Sequence, residues 1–366
     1  MLEEYTNYII REIRLIKEKL DLNNYYMDTL YFGGGTPTIL RESQLERIIN
    51  ALYETFSIHD DFEFCTEMRP GPNITEKKLS VLKELKVKRL SIGVQSLNDE
   101  ILIENGRHHT VDEFYKTINK AREAGFSWIN CDLMSGMLSD NVDTFMDSLT
   151  RLWKLSPENI SIYKMEIFYN TKLYHKVREN AGILDNDLLE IEQIRQGKKF
   201  LESKGYEMAN NSLFIKNSMF VHRHRKNIQY NAEMLGIGLS AMSYFQNHIF
   251  QNQIKFGAYY SSLDQNELPI YRAKKVNKSE EIIRYVVMGF KNLILYRDDF
   301  HNSFGVDLLD TNLKDVFFRL NNEHIIDIND KSIIIMDDYR IFADDIARLF
   351  YSNESTVRME THVVRK

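Results

Sequence analysis

Two periodicities alternate along the first half of the chain. Residues 3–20 place Tyr5, Tyr8, Ile9, Ile13, Leu15, Ile16 and Leu20 at helical spacing, which predicts an opening helix. A short apolar run, Thr29 to Phe32, reads as a strand that enters three glycines. Leu45, Ile48, Ile49, Leu52 and Tyr53 then share one face of a helix over Glu42–Phe56. The alternation continues with strand Phe62–Glu67, helix Thr75–Leu85, strand Arg89–Gln95, and helices around Asn98–Glu104 and Val111–Ala124. Strand Trp128–Met134, helix Val142–Leu155, strand Ile160–Ile167 and helix Leu188–Lys204 follow, the last stopping at Gly205. Tyr206–Met208 is a further strand candidate. Short apolar strands separated by helices mean parallel strands with helical crossovers. The pattern predicts an α/β chain with a closed or partly closed (β/α) barrel over residues 1–245, rather than an open doubly wound sheet.

Beyond the barrel the pattern changes. Tyr244 to Ala273 is rich in Gln, Asn and Tyr, so residues 246–275 are expected to form an extended connection. Glu280–Leu293, Leu313–Leu320 and Tyr339–Phe350 read as helices around a hairpin, Ile325–Ile328 and Ser332–Met336, turning at Asn329-Asp330. Residues 276–366 are therefore expected to form a mostly helical, winged-helix-like domain, with a frayed tail from Asn353. Asp337-Asp338 and Asp344-Asp345 argue against a DNA-binding wing.

In barrels of this kind the active site lies where the strands end at their C-terminal side. The residues expected there are Gly33, Gly34 and Gly35, then Glu67, Gln95 and Asp132, and the region Tyr163–Glu166. Three glycines let the backbone approach a ligand closely, and Pro37 fixes the exit direction. Alone, that turn reads equally well as a tight strand-to-helix connection. Alternation puts Ser91, Gly93 and Gln95 on one face, Cys65 with Glu67 on one face, and Cys131 opposite Asp132. With Asp132 inward, Cys131 packs among the helices, and Cys65 is read as an inert thiol inside the barrel.

Composition narrows the class. With 366 residues and 43% hydrophobic content, the chain can bury one large core plus a smaller one. A net charge of −6 gives no general electrostatic case for nucleic acid or an anionic membrane. No apolar stretch is long enough to span a bilayer, and the first five residues lack the basic and apolar regions of a signal peptide. A cytoplasmic location is expected. The two cysteines, Cys65 and Cys131, make neither a disulfide framework nor a CxxC pair.

Several stretches occur together in one family. They are Tyr31–Thr38 (YFGGGTPT), Thr66-Glu67, Arg89–Asn98 (RLSIGVQSLN), Gly106–Thr110 (GRHHT), Asn130–Gly136 (NCDLMSG), Ile160–Tyr163 (ISIY) and Gly236–Tyr244 (GIGLSAMSY). From Tyr5 to about Ile341 the chain resembles the radical S-adenosylmethionine (SAM) family of oxygen-independent coproporphyrinogen III oxidase and its heme-chaperone relatives. The resemblance implies a partial TIM-like barrel of the radical SAM type, with the winged-helix-like module as a lid. It implies SAM contacts at Gly33, Gly34, Gly35 and Thr36, and at Glu67, Gln95, Arg107 and Asp132. The residue types suit the ligand: a guanidinium matches the SAM carboxylate, and carboxylates and a carboxamide accept from its ammonium and ribose hydroxyls. His108 and His109, next to Arg107, are read as loop residues in solvent. Tyr163, Lys164, Glu166 and Tyr169 are expected to select the substrate, a porphyrin-like compound, another small molecule or a peptide.

The family also uses a [4Fe–4S] cluster held by CxxxCxxC, with an electron donor such as flavodoxin or ferredoxin. The cluster reduces SAM, and a 5′-deoxyadenosyl radical takes hydrogen from the substrate. Three thiolates are needed, and this sequence has two cysteines in different strands. The chain opens at the helix that follows the family's cluster segment and first strand, so the barrel is expected to lack that strand and to leave an uncovered edge. Two readings stand: an N-terminally incomplete radical SAM enzyme, or a cluster-free SAM-binding scaffold that can rely on a partner chain. A third class is a heme carrier. The heme chaperones' His-Asn-x-x-Tyr-Trp signature is matched here only by Asn227 and Tyr230, with His222 or His224 as substitute ligands. More simply, those histidines belong to a basic surface run, Arg223–Lys226. Gly236-Ile237-Gly238 is read as a close-packed turn.

Overall fold

The structure is a computed structural model that describes residues 1–166, 174–175, 187–230 and 232–351. Helix α1 (Leu2–Lys19) buries Ile9, Ile13 and Ile16 against α2 (Glu42–Thr55), which returns Leu45, Ile48 and Leu52. Between them runs β1 (Tyr26–Phe32). The chain continues as β2 (Ser57–Met68), α3 (Glu76–Glu84), β3 (Arg89–Gln95), α4 (Asp99–Glu104), α5 (Val111–Glu123), β4 (Ile129–Ser135), α6 (Val142–Lys154) and β5 (Asn159–Lys164). Helix starts follow local chemistry. Thr110 and Asn141 each accept from the backbone three residues on, and Glu113 and Thr144 reach back to complete a capping box.

Strands β1 to β5 are parallel and lie in sequence order. After α7 (Asp187–Ser203), the short β6 (Glu207–Met208) and β7 (Leu213–Ile215) extend the sheet antiparallel beyond β5. The sheet order is β1-β2-β3-β4-β5-β7-β6, with β1 at one edge. Alternation divides its two faces by polarity. Phe64, Leu90, Ile92, Ile129, Cys131, Leu133, Ile160 and Ile162 join the core beneath the helices. Glu63, Cys65, Glu67, Arg89, Ser91, Asn130, Asp132, Ser161 and Tyr163 occupy the alternate positions, which form the concave face. Cys131 thus packs among helices and Cys65 faces the interior, as the alternation predicts. β2 begins earlier than expected because Ser57 and Ile58 pair with Tyr26 and Met27 before a register shift. Its start, Ser57–Asp61, holds a single apolar residue, Ile58, and so shows no apolar alternation.

One expectation is corrected on the concave face. Arg223–Lys226 is not a surface run but the body of α8 (Arg223–Gln229), laid across the interior. Arg223 pairs with Asp28 at 3.1 Å and with Asp61, and Asn227 donates to Asp28 at 2.6 Å. The His224 ring stacks on Tyr31 at 5.1 Å, with Nδ1 2.9 Å from the Thr29 hydroxyl. Arg225 donates to Ser212 at 3.0 Å on the far side. The helix therefore links β1 to the segment before β7. Lys226 is exposed, whereas His222 is buried.

A second correction concerns the expected extended connection. It forms an antiparallel sheet, β8 (Met242–Phe245), β9 (His248–Asn252) and β10 (Ile270–Lys275), with α9 (Phe256–Asp264) inserted before β10. Its Gln and Asn residues mask short strands, of which β9 is mostly half-buried and β10 is exposed along its whole length. α9 packs on α1 through Leu15, Tyr259 and Leu263, with Tyr8 stacked on Tyr260 at 4.0 Å. The last unit is α10 (Lys278–Phe290), β11 (Ile294–Tyr296), α11 (Arg297–Phe304), α12 (Lys314–Asn322), β12 (Ile326–Ile328) and β13 (Ser332–Ile335), then α13 (Ala343–Arg348). Its helix–strand–helix–helix–strand–strand order and β11-β13-β12 sheet give the winged-helix arrangement. It meets the barrel at β5 and α7, through Lys164–Asp345 (3.3 Å) and Lys198–Asp337 (2.7 Å), and at α8, where Tyr230 donates to the Ile294 carbonyl.

Glu12 ties the N-terminal helix to the middle of the chain. Its carboxylate, almost wholly buried, accepts from the Gly238 N–H at 2.8 Å, Asn252 Nδ2 at 2.6 Å and the Tyr259 hydroxyl at 2.6 Å. Gly238 has φ +102°, and a Cβ there would lie 2.8 Å from the Tyr5 hydroxyl, so the close-packed turn requires glycine. Burial pushes Glu12 up to about 6, from an ordinary value of 4.5. This group therefore favours the fold most when protonated, and its contribution declines as pH rises through about 6. Glu12→Ala leaves three buried donors without an acceptor and should lower unfolding free energy by roughly 2–4 kcal/mol in chemical denaturation at pH 7. Tyr259→Phe, which removes one donor of the three, should cost less.

Candidate cofactor-binding site

The rim of the sheet is assembled strand by strand. β1 ends at Phe32, and Gly33 follows without a side chain because two groups already occupy that space. A Cβ on Gly33 would collide with the Tyr31 ring and approach the Glu67 carboxyl carbon to 2.6 Å. Glu67, from the end of β2, accepts from the Tyr31 hydroxyl at 2.5 Å and from the Gly34 N–H at 3.0 Å. Gly34 takes φ +82°, and Gly34 and Gly35 have open space where a Cβ would point. Thr36 is half-buried just beyond. The glycine turn and Glu67 are thus one unit. Burial, with the nearby Glu67 charge adding to it, pushes the Tyr31 phenol far above its ordinary range, so it remains a donor.

At the end of β3 the register slips between Gly93 and Gln95. Gln95 has φ +67°, uncommon for a residue with a side chain, and its Nε2 lies 3.0 Å from where a Gly93 Cβ would stand. The missing side chain at Gly93 lets Gln95 fold back over the sheet. Opposite Gly93 in the register is Asp132 of β4. Asp132 accepts from Asn130 Nδ2 at 2.7 Å and from the Ser91 hydroxyl at 3.2 Å. Asn130 also donates to Ser91 at 2.8 Å and accepts from Ser161 at 3.0 Å. Burial is the main reason that the Asp132 carboxyl is pushed up to about 6; the hydrogen bond from Asn130 works against it and the Glu67 charge adds to it.

Arg107 stands in the loop after α4, its guanidinium 3.2 Å from Met134 Sδ at the end of β4. Among the described residues no carboxylate pairs with it. The structure therefore gathers Gly33–Gly35, Glu67, Gln95, Asp132 and Arg107 at the C-terminal ends of β1 to β4. His109 does not fit the solvated-loop expectation: it is buried and donates from Nε2 to the Val94 carbonyl at 3.0 Å, while His108 is exposed. Tyr163 faces the interior under Arg225, whose guanidinium lies 5.5 Å from the ring centre. Lys164 is turned to Asp345, and Glu166 is exposed past β5. Tyr169 lies outside the described residues.

The interior also holds groups that sequence reasoning passed over. Arg89 and Glu63 form an ion pair at 3.1 Å with side chains 2% and 5% exposed, between the Tyr31 and Trp128 rings. Tyr31, Asn130 and Ser161 orient the two rim carboxylates directly or through one another. Their signal was available: polar residues recur at alternate positions of neighbouring strands, where apolar ones would suit a buried sheet.

The thiols do not fit an iron–sulfur cluster. Cys65 and Cys131 lie on opposite faces with β3 between their strands, and burial raises both thiols above their ordinary range. Among the described residues no three His, Cys, Asp or Glu side chains come together as a metal site. The expected heme ligands are likewise engaged or enclosed. His224 stacks on Tyr31, Tyr230 donates to Ile294, and His222 is buried beside Trp128.

The sheet has the radical SAM fold, and the radical SAM superfamily model matches residues 3–152. Coproporphyrinogen oxidases and heme chaperones are among the proteins it is similar to. It is 27% identical to the heme chaperone HemW of Bacillus subtilis over 290 residues, 79% of this chain and 76% of that one. It is 26% identical to the oxygen-independent coproporphyrinogen III oxidase of Escherichia coli over 345 residues, 89% of this chain and 74% of that one. The solved structure of the E. coli coproporphyrinogen III oxidase HemN, a radical SAM enzyme, shares the fold with a TM-score of 0.81 and 22% identity, over 95% of this chain and 83% of that one. Among the described residues no helix is long and apolar enough to cross a membrane.

Gly33→Ala should push Glu67 off the glycine turn. We expect a loss of roughly 1–3 kcal/mol in unfolding free energy, the usual cost of overpacking, with the Tyr31 phenol freed from its carboxylate. Thermal denaturation and ultraviolet titration of the tyrosines check the two effects.

Proposed function

We propose that this chain binds S-adenosylmethionine at the rim of β1 to β4 and acts on a porphyrin-like substrate, in the manner of the oxidase and chaperone relatives. The observation that supports this most is the cation Arg107, without a carboxylate partner among the described residues, on the same rim as two carboxylates and an open glycine turn. SAM carries a carboxylate, an ammonium and a ribose diol. Arg107 pairs with the carboxylate, Glu67 and the Gly33–Gly35 and Thr36 backbone receive the methionine end, and Gln95 and Asp132 accept from the ribose and amine. Glu67 is already bonded to Gly34 and Tyr31, so its free lone pairs are held in place before the ligand arrives. Tyr163 closes the floor toward the substrate side.

Reductive cleavage of SAM requires a [4Fe–4S] cluster, and the two cysteines of this chain do not fit its ligand set. The proposal therefore concerns SAM and substrate binding, with no radical step assigned to residues of this chain. The heme-carrier reading gains no support from the buried His222 or from His224, whose ring is stacked on Tyr31.

Calorimetric titration with SAM tests the reading. Arg107→Ala should weaken binding by about tenfold or more, the scale of one lost charge-assisted bond. No binding to the unaltered chain would reject it. The pH profile is a second check. Asp132 is ionised and accepting above about pH 6. SAM affinity should therefore fall as pH drops through about 6, and Asp132→Asn should bind more weakly and flatten that step.

A further inference from the structure

A recess of about 60 Å3 opens beside the glycine turn, between the end of β2 and the loop after α4. Thr36, Thr38, Arg69, Asn73 and His108 line it. Glu113 lines it as well, but its carboxylate accepts from the Thr110 N–H at 2.8 Å as part of a helix cap. Arg69 is exposed, and among the described residues no carboxylate forms an ion pair with it. Its charge and that of Arg107 both reach His109: after burial, these two cations hold that imidazole below its ordinary basicity. Two cations, without carboxylate ion-pair partners among the described residues, thus stand on one side of the rim. Arg107 faces Met134, and Arg69 faces the recess.

The lining suits one anion. A guanidinium takes a carboxylate through paired N–H donors, and threonine hydroxyls, an amide and an imidazole N–H can add further bonds. The recess has room for a carboxylate-sized group.

We propose that this recess is a substrate subsite in which Arg69 holds one carboxylate of an organic polycarboxylate whose body lies over the rim. The position of that body rests on the reading of the rim as the SAM site; the anion recess itself does not. Arg69 is a specificity residue in this arrangement. It fixes one end of the ligand and distinguishes free acids from their neutral esters.

The test is fluorescence titration of the full chain with coproporphyrin III and with its tetramethyl ester, beside calorimetry with SAM. The free acid should bind about tenfold or more tightly than the ester. Arg69→Ala should remove that preference while changing SAM affinity less than about twofold, and Arg69→Lys should restore part of it. Arg69 is exposed, so a folded variant is expected, and circular dichroism verifies it. Equal affinity of the acid for Arg69→Ala and the unaltered chain overturns the subsite, as does equal binding of acid and ester, or no binding of the acid at all. A parallel loss of SAM binding in Arg69→Ala overturns it too, because the recess would then belong to the SAM site. If the unaltered chain binds the acid in an Arg69-dependent way but does not bind SAM, the subsite stands and the SAM reading fails.

Discussion

The interior of the sheet depends on one ion pair removed from water, Arg89 with Glu63. Leaving either charge there without the other would cost about 3–5 kcal/mol, so each residue constrains the other. Glu63 also accepts the backbone N–H of Arg223 at 3.0 Å, the first residue of α8. A carboxylate at a helix start satisfies a donor that has no partner within the helix. The pair thus fixes where α8 enters. α8 in turn brings His224 onto Tyr31, and Tyr31 donates to Glu67. A chain of contacts runs from the buried charges to the rim, and each link is a polar group that burial would penalise if it stood alone.

The rim carboxylates are held in contrasting ways. Glu67 is bound to backbone and phenol donors at the surface of the turn. Asp132 lies deeper, among Asn130, Ser91 and Ser161. Neither has a cation as its hydrogen-bond partner. Arg107 stands on the same rim against the Met134 thioether. Separated opposite charges around an open turn suit the zwitterionic end of the proposed ligand.

Stability of the barrel side is shared with later parts of the chain. Glu12 in the first helix is satisfied wholly by residues more than two hundred positions away. The acidic residues that begin the last helical stretch, Asp337, Asp344 and Asp345, meet Lys198, Asn211 and Lys164 of the barrel. They argue against a nucleic-acid wing in sequence, and in the fold they serve as docking contacts.

The sequence by itself determined the order and kind of the barrel elements, and even the bounds of β3. Apolar spacing and capping residues are local, so they are legible without contacts. It also brought Gly33–Gly35, Glu67, Gln95 and Asp132 to one rim, because parallel strands with helical crossovers all end on the same side. Four things were decided only in three dimensions. The Asn- and Gln-rich segment after Tyr244 pairs into a sheet that local pattern does not show, because β9 and β10 bury little and lack apolar alternation. Arg223–Lys226 looked like a solvated run until Asp28, Asp61 and Glu63, remote in sequence, supplied partners. His109 left the solvent for the Val94 carbonyl. The slip at Gln95, which turns its side chain over Gly93, depends on pairing with β4. Local pattern records what a segment prefers, but the partner of a buried charge or a displaced strand residue is chosen by the packing of elements far apart in the chain.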